Sequence, residues 1–343
     1  WWAFGVIAAI SGVMLLVVFV REGHRVQWRA LPAMACAYTI LCMVSVIWSY
    51  YPRETVLAGL LMLATTTTGI LLACGLSLRQ FTDALSRALE ATLVLSFLLE
   101  LYVALILREP LIPIYMKDWK EVPPSYIWVE GNILKGGPIQ GIVGNRNPLA
   151  FIALLTLICV VVRWRDHRLR LPNFLTWSTL SILTLVLTGS ATVIVAAIVC
   201  GIVMSFMWLL RHVPVALRTT VTVAASTLGV AAVAFAIGWH SQVTALLGRS
   251  PDMTGRWEIW LKVIDLWEQH TFLGWGWIMY WVPWIPMFGT LVIRPDGTPT
   301  LSAHNAYIEA LFQTGVVGAS MIVVLVLTLL IRSFRLAVRY LDS

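Results

Sequence analysis

Ser302-Ala303-His304-Asn305 is followed by Ala306-Tyr307-Ile308-Glu309-Ala310-Leu311-Phe312-Gln313-Thr314-Gly315, and Asn305, Glu309 and Gln313 recur at i, i+4 and i+8. That spacing puts three polar side chains on one face of a helix. Ser302 is a natural N-cap, which places His304 in the first turn, where the helix dipole disfavours imidazolium. A neutral histidine at the mouth of a membrane cavity is suited to general-base work. Polar groups inside a bilayer are costly and face a functional interior. The competing reading of His304 is a structural histidine.

Three further clusters carry polar detail. In Gly141-Ile142-Val143-Gly144-Asn145-Arg146-Asn147-Pro148, the glycines permit close approach, Asn147 can cap a helix and Pro148 suits its first turn. The free N–H groups there, with Arg146 beside them, would hold an anion at the membrane surface; a plain loop-to-helix junction is the alternative. In Thr254-Gly255-Arg256-Trp257-Glu258-Ile259-Trp260, the positions Trp257, Trp260, Leu261, Ile264 and Trp267 follow helical spacing, with Glu258, Lys262 and Asp265 mostly on another face. This predicts an amphipathic helix on the outer leaflet, and leaves Gly255-Arg256 and the later Leu273-Gly274-Trp275-Gly276 unexplained. Trp48-Ser49-Tyr50-Tyr51-Pro52-Arg53-Glu54-Thr55 is an aromatic interface anchor running into a helix start.

What must position these residues is a membrane. The chain has 343 residues, 59% hydrophobic and only 12% charged, with a mean hydropathy of +0.84. Soluble domains carry roughly 25% charge, so soluble globular, disordered and coiled-coil classes are excluded. Apolar runs near 2–20, 31–48, 55–76, 91–107, 148–163, 173–188, 190–210, 219–239 and 306–331 predict an all-α polytopic transmembrane bundle of about nine helices. The break at Thr188-Gly189-Ser190 is the weakest boundary. Alternation puts 21–30, 77–90, 164–172, 211–218 and 332–343 on one face. These short segments and the adjoining helix ends hold most of the arginines and are cytoplasmic by the positive-inside rule. The long loops 108–147 and 240–305 then face the periplasm or exterior. The expected division is 1–239, with eight helices and the loop at 108–147; 240–305, a large loop with an amphipathic helix; and 306–343, a last helix and basic end. The net charge of +7 is topology signal and calls for no nucleic-acid partner. The Thr65–Thr68 run is expected to be a packing surface. Cys36, Cys42, Cys74, Cys159 and Cys200 lie in apolar runs without metal spacing, so neither a metal site nor a disulfide is expected. No GxxxxGK[ST] or GxGxxG occurs, which argues against a nucleotide-driven pump or a nucleotide-sugar transferase. Trp1-Trp2 opens inside an apolar run, and an additional upstream helix is expected in the native gene product.

In combination, the motifs resemble the O-antigen ligase/polymerase superfamily of bacterial glycan-assembly membrane proteins, with the exopolysaccharide polymerase branch closest. The matching elements are Trp48-Ser49 with Pro52, Gly144-Asn145-Arg146-Asn147, Thr254-Gly255-Arg256 with Trp260, Leu273-Gly274-Trp275-Gly276, and Ala303-His304-Asn305-Ala306-Tyr307 through Gly315-Val316-Val317-Gly318. The chain departs from the pattern at Ser190-Ala191-Thr192, where the family often has Ser-Arg-Thr, and at Thr271, where a proline is usual. The resemblance implies a GT-C-like glycosyltransferase architecture in the bacterial cytoplasmic membrane, with the active site facing the periplasm. It implies transfer, without cofactor or metal, of an undecaprenyl-diphosphate-linked glycan to an acceptor sugar hydroxyl, with inversion. On that basis Arg256 and Arg146 would neutralise the diphosphate leaving group and His304 would deprotonate the acceptor. Asn147, Asn305 and Glu309 would position sugar or His304. Tyr307 and the tryptophans near 275–284 would stack on sugar faces. Partners would be the lipid-linked donor, a glycan or lipid-linked acceptor, membrane lipids and a wider glycan-assembly complex. Repeat-unit polymerisation is the first expectation. Ligation to lipid A–core, a lipid-linked glycan transporter and a non-catalytic scaffold are the alternatives.

Overall fold

A computed structural model describes residues 2–26, 31–116, 118–119, 121–239 and 256–339. Among them the chain is helical, with isolated bridges Leu111–Val129 and Ile293–Pro299 and no strand. In chain order the helices are α1 (Trp2–Arg21), α2 (Ala33–Val44), α3 (Pro52–Gly75), α4 (Leu78–Tyr102), α5 (Arg146–Arg165), α6 (Leu171–Thr188), α7 (Ala191–His212), α8 (Val215–Gly238), α9 (Arg256–Gln269), α10 (Pro286–Thr290) and α11 (Ala306–Arg339). Among the described residues, seven helical segments are long and apolar enough to cross a membrane, and Ala9–Arg21 and Ala33–Ile47 are shorter apolar helices. The protein is an all-α polytopic membrane protein.

Two compact units divide the chain, Leu76–Phe206 and the remainder. In the first of these, 77–90 is not the loop expected from its charge. Ser77 and Gln80 form a capping box, and the helix runs from Leu78 through α4 and a π turn to Leu107. The two carboxylates of 77–90 are paired with Arg163 and Arg168, while Arg79 and Arg87 stay exposed. Arg163 is buried and contacts Asp83 and Glu90 at 2.9 and 2.8 Å, Ser86 donates to Glu90 at 2.7 Å, and Arg168 pairs with Asp83 and Asp166. Leu93, Leu149, Ala153, Leu154, Leu185 and Val193 form the apolar contact of α4 to α7. The α6–α7 break is real: Gly189 ends α6 with φ 56°, a left-handed C-cap.

In the other unit α2 packs on α3, with Met43 against Gly59 and Thr39 Oγ1 2.9 Å from Thr66 Oγ1, so Thr66 of the threonine run serves helix packing while Thr65 and Thr68 bond their own helix. α3 starts at Pro52, three residues earlier than expected, with proline in its first turn and Glu54 near the positive end of the dipole. α11 is longer than the predicted 306–331 run and is broken at Gly315 (φ 65°, ψ −167°), a conformation essentially restricted to glycine. A Cβ there would overlap the Phe272 carbonyl. The broken turn leaves backbone groups unpaired, and the 271–276 turn satisfies them. Val316 N–H donates to Thr271 O, while Phe312 O and Gln313 O accept from Trp275 and Gly276 N–H.

Above this kink sits a loop-borne core of Tyr51, Ile259, Val263, Ile278, Trp281, Phe288, Val292, Ala303 and Phe312. Lipid-facing helices gain nothing hydrophobic by meeting each other, but a loop outside the bilayer does. The apolar stripe of α9 is used here. Ile259 and Val263 are buried in this core and Trp260 packs on it, so this face meets protein instead of lipid, while Trp257 and Leu261 stay exposed.

Candidate functional site

The site is built around Ala303, which is fully buried and held from two sides. Its N–H donates to Glu309 Oε2 at 2.6 Å, and its carbonyl accepts from Trp260 Nε1 at 2.9 Å. Two helices thus fix the backbone entering His304, which adopts φ 52°. A non-glycine residue in that region is uncommon and persists where the surroundings impose it. Ser302 is not the cap. Asn305 Oδ1 accepts from Tyr307 and Ile308 N–H at 3.0 and 3.4 Å, so α11 starts at Ala306 and His304 lies before the helix, not in its first turn. Serine lost the position because asparagine, three residues on, reaches the free N–H groups directly. Ser302 Oγ lies 3.5 Å from His304 Nδ1, at the outer limit of a hydrogen bond.

The polar stripe of α11 is an internal scaffold. Glu309 Oε1 accepts from Trp281 Nε1 and Gln313 Nε2, both at 2.6 Å. Gln313 Oε1 accepts from Ile278 and Met279 N–H at 2.9 and 3.2 Å. The Leu-Gly-x-Gly turn has the same role. Trp48 Nε1 donates to Leu273 O, Tyr50 N–H to Trp275 O and Tyr51 Oη to Gly276 O. A Cβ on Gly274 would come within 2.5 Å of the α11 backbone. Of the tryptophans expected to stack on sugar, Trp281 is buried in the core and Trp275 donates to Leu266 O. Trp284 remains exposed, donating to Glu54 at 3.1 Å.

A cavity of about 870 Å³ opens beside this scaffold, lined by Arg256, Glu258, Arg294, Asp296, Thr300 and His304 among others. Arg256 is the first residue of α9; Thr254 and Gly255, the rest of its motif, lie outside the described residues, as does 240–255 of the long loop. His304 is exposed at the cavity wall. Partial burial, followed by the positive charges of Arg256 and Arg294, lowers its pKa from the ordinary imidazole value. The neutral form is thus favoured by burial and guanidinium groups, not by a helix dipole. Tyr307 is exposed; Asn305 and Glu309 act on the backbone that carries His304.

Arg146 and Asn147 belong to the unit Leu76–Phe206. Arg146 is exposed at the start of α5, but the cap is Asn145, whose Oδ1 accepts from Asn147 N–H at 3.0 Å. Asn147 Oδ1 accepts instead from Ser190 Oγ at 2.8 Å. The cap shifted because Asn145, with extended backbone, can turn its side chain onto N2, whereas Asn147 is already helical. Glu100, fully buried on α4, accepts from Gln140 and Gly141 N–H at 2.7 and 2.8 Å and holds the glycine loop.

Sequence reasoning missed Arg294. Its signal is the turn Arg294-Pro295-Asp296-Gly297-Thr298, in which Asp296 Oδ1 accepts from Thr298 N–H and Oγ1 and Arg294 N–H donates to Thr298 O at 2.8 Å. That turn folds a short hairpin back onto α9.

Fold and site together define a polytopic membrane protein whose loop carries a cavity lined by two arginines, two carboxylates and a histidine. Residues 176–323 match the O-Antigen ligase family, a stretch that contains Arg256, Arg294 and His304. The match supports the O-antigen ligase/polymerase superfamily assignment drawn from the motifs, and with it a glycan-transferring function of that type, using a lipid-linked glycan donor and a glycan acceptor. No curated protein matches the chain significantly.

Proposed function

We propose that the protein is a periplasm-facing polymerase of the inner membrane that joins repeat units of a surface polysaccharide or exopolysaccharide carried on undecaprenyl diphosphate. The observation that carries this reading is the cavity shared by Arg256 and His304. An acceptor sugar hydroxyl gives its proton to His304 as its oxygen bonds to the donor's anomeric carbon. The bond from that carbon to the phosphate oxygen breaks, and the lipid diphosphate leaves as an anion. Attack opposite the leaving group inverts the carbon. A diphosphate is already a stable anion, so cationic stabilisation in a low-dielectric site matters more than protonation. Guanidinium suits that task because it binds phosphate oxygens bidentately. Glu309 and Asn305 position the His304 backbone, and Arg146 with Asn147 remain candidates for substrate contact. The chemistry proposed calls for neither metal nor nucleotide.

Ligation to lipid A–core uses the same chemistry with a different acceptor, and the family description favours keeping it as the second reading. The test is purified full-length protein in detergent with the lipid-linked repeat of its source organism. A ladder of longer lipid-linked glycans that disappears in His304→Ala supports polymerisation. Transfer only after lipid A–core is added makes the protein a ligase. No transfer with either acceptor overturns the enzymatic reading.

A further inference from the structure

We propose that Arg294 is the second half of a two-guanidinium seat, in which Arg256 and Arg294 each bind one phosphate of the donor's diphosphate. This inference rests on the glycan-transfer reading and adds to it a residue and a selectivity. Both arginines line the cavity that His304 lines. Among the described residues neither guanidinium has a hydrogen-bond or ion-pair partner, although two carboxylates line the same cavity. Glu258 pairs with Lys262 at 2.9 Å, and Asp296 is turned into its own loop by Thr298. Two like charges that line one cavity without an ion-pair partner among the described residues are stabilised by an anion that enters it. A volume of about 870 Å³ is within the range of small-molecule sites and accommodates a sugar diphosphate.

The two arginines are held by separate devices. Arg256 is fixed by α9, whose Ile259 and Val263 are buried in the loop core. Arg294 is fixed by a hairpin closed through Arg294 N–H to Thr298 O at 2.8 Å and Thr300 N–H to Val292 O at 2.9 Å. Two guanidinium groups on independently anchored backbones suit an anion with two phosphates; a monophosphate satisfies only one of them. The seat also acts on the base. Among the described residues, the charged groups that line the cavity with His304 are Arg256 and Glu258 from α9, and Arg294 and Asp296 from the hairpin. A bound diphosphate cancels the positive field of the arginines, so His304 gains proton affinity as the donor arrives.

The experiment measures binding of farnesyl diphosphate and farnesyl monophosphate to full-length protein in detergent, for wild type, Arg294→Gln, Arg294→Lys and Arg256→Gln, with thermal melting as the folding control. Wild type is expected to prefer the diphosphate by about tenfold or more, as one lost charge-assisted contact predicts. Arg294→Gln should abolish that preference by weakening diphosphate binding about tenfold, with a smaller loss for the monophosphate, which Arg256 can still hold, and Arg294→Lys should restore part of it. An intact preference in a folded Arg294→Gln protein, with loss in Arg256→Gln, overturns the role of Arg294 and leaves the glycan-transfer reading standing. No binding of either probe by wild type, or no effect of either arginine, overturns both.

Discussion

His304 shares its cavity wall with two guanidinium groups, and its chemistry follows from them. Its lowered pKa means that the neutral base persists below the ordinary imidazole range near 6.5. Activity should therefore be lost only as pH falls through that depressed value. Arg294→Gln removes one of the two charges, and the acid limb of kcat/KM should move up toward the ordinary value; an unmoved limb would mean that His304 is not the titrating base. His304→Gln should lower turnover by about 10²–10⁴-fold in a single-turnover transfer assay. Arg256→Lys keeps the charge but loses the fork, and should cost activity about tenfold to a hundredfold with an unchanged melting midpoint. An equal loss of thermal stability would make Arg256 a structural residue.

Helices α11 and α4 show how local sequence hides longer-range design. The kink at Gly315 has no signal in hydropathy, which marks Ala306–Arg339 as one apolar span. Gly315→Ala should destabilise the protein by about 1–3 kcal/mol for backbone strain, plus the overlap with Phe272, read as a thermal midpoint several degrees lower. Survival of the wild-type midpoint would show that the 271–276 turn yields easily. On α4, removing one partner of a buried ion network exposes the rest to an uncompensated cost. Arg163→Ala should therefore lose about 3–5 kcal/mol in denaturant or thermal unfolding, far more than the exposed Arg170→Ala.

For the whole molecule, the testable quantity is orientation. In cells carrying a cysteine-free background, an impermeant thiol reagent should label a cysteine at exposed Tyr280 or Ile114 without permeabilisation. It should label one at exposed Leu78 or Leu171 only after lysis. The reverse pattern would invert the topology and put the cavity on the cytoplasmic side. Both compact units are sampled by these positions, so each is oriented by its own result.

By itself the sequence determined the all-α membrane class and the approximate helix positions, and singled out His304 and Arg256 for proposal, because long apolar runs and rare polar motifs are local properties. It could not decide that 77–90 is helical, since the carboxylates Asp83 and Glu90 are neutralised by Arg168 and Arg163 more than seventy residues away. It could not separate scaffold from site within the α11 stripe, because Glu309 accepts from the Trp281 side chain and Gln313 from the Ile278 backbone, both distant in the chain. Arg294 stayed hidden for the same reason. Its charge matters only because a hairpin turned it onto a cavity with Arg256, and convergence of side chains in space is what tertiary structure alone supplies.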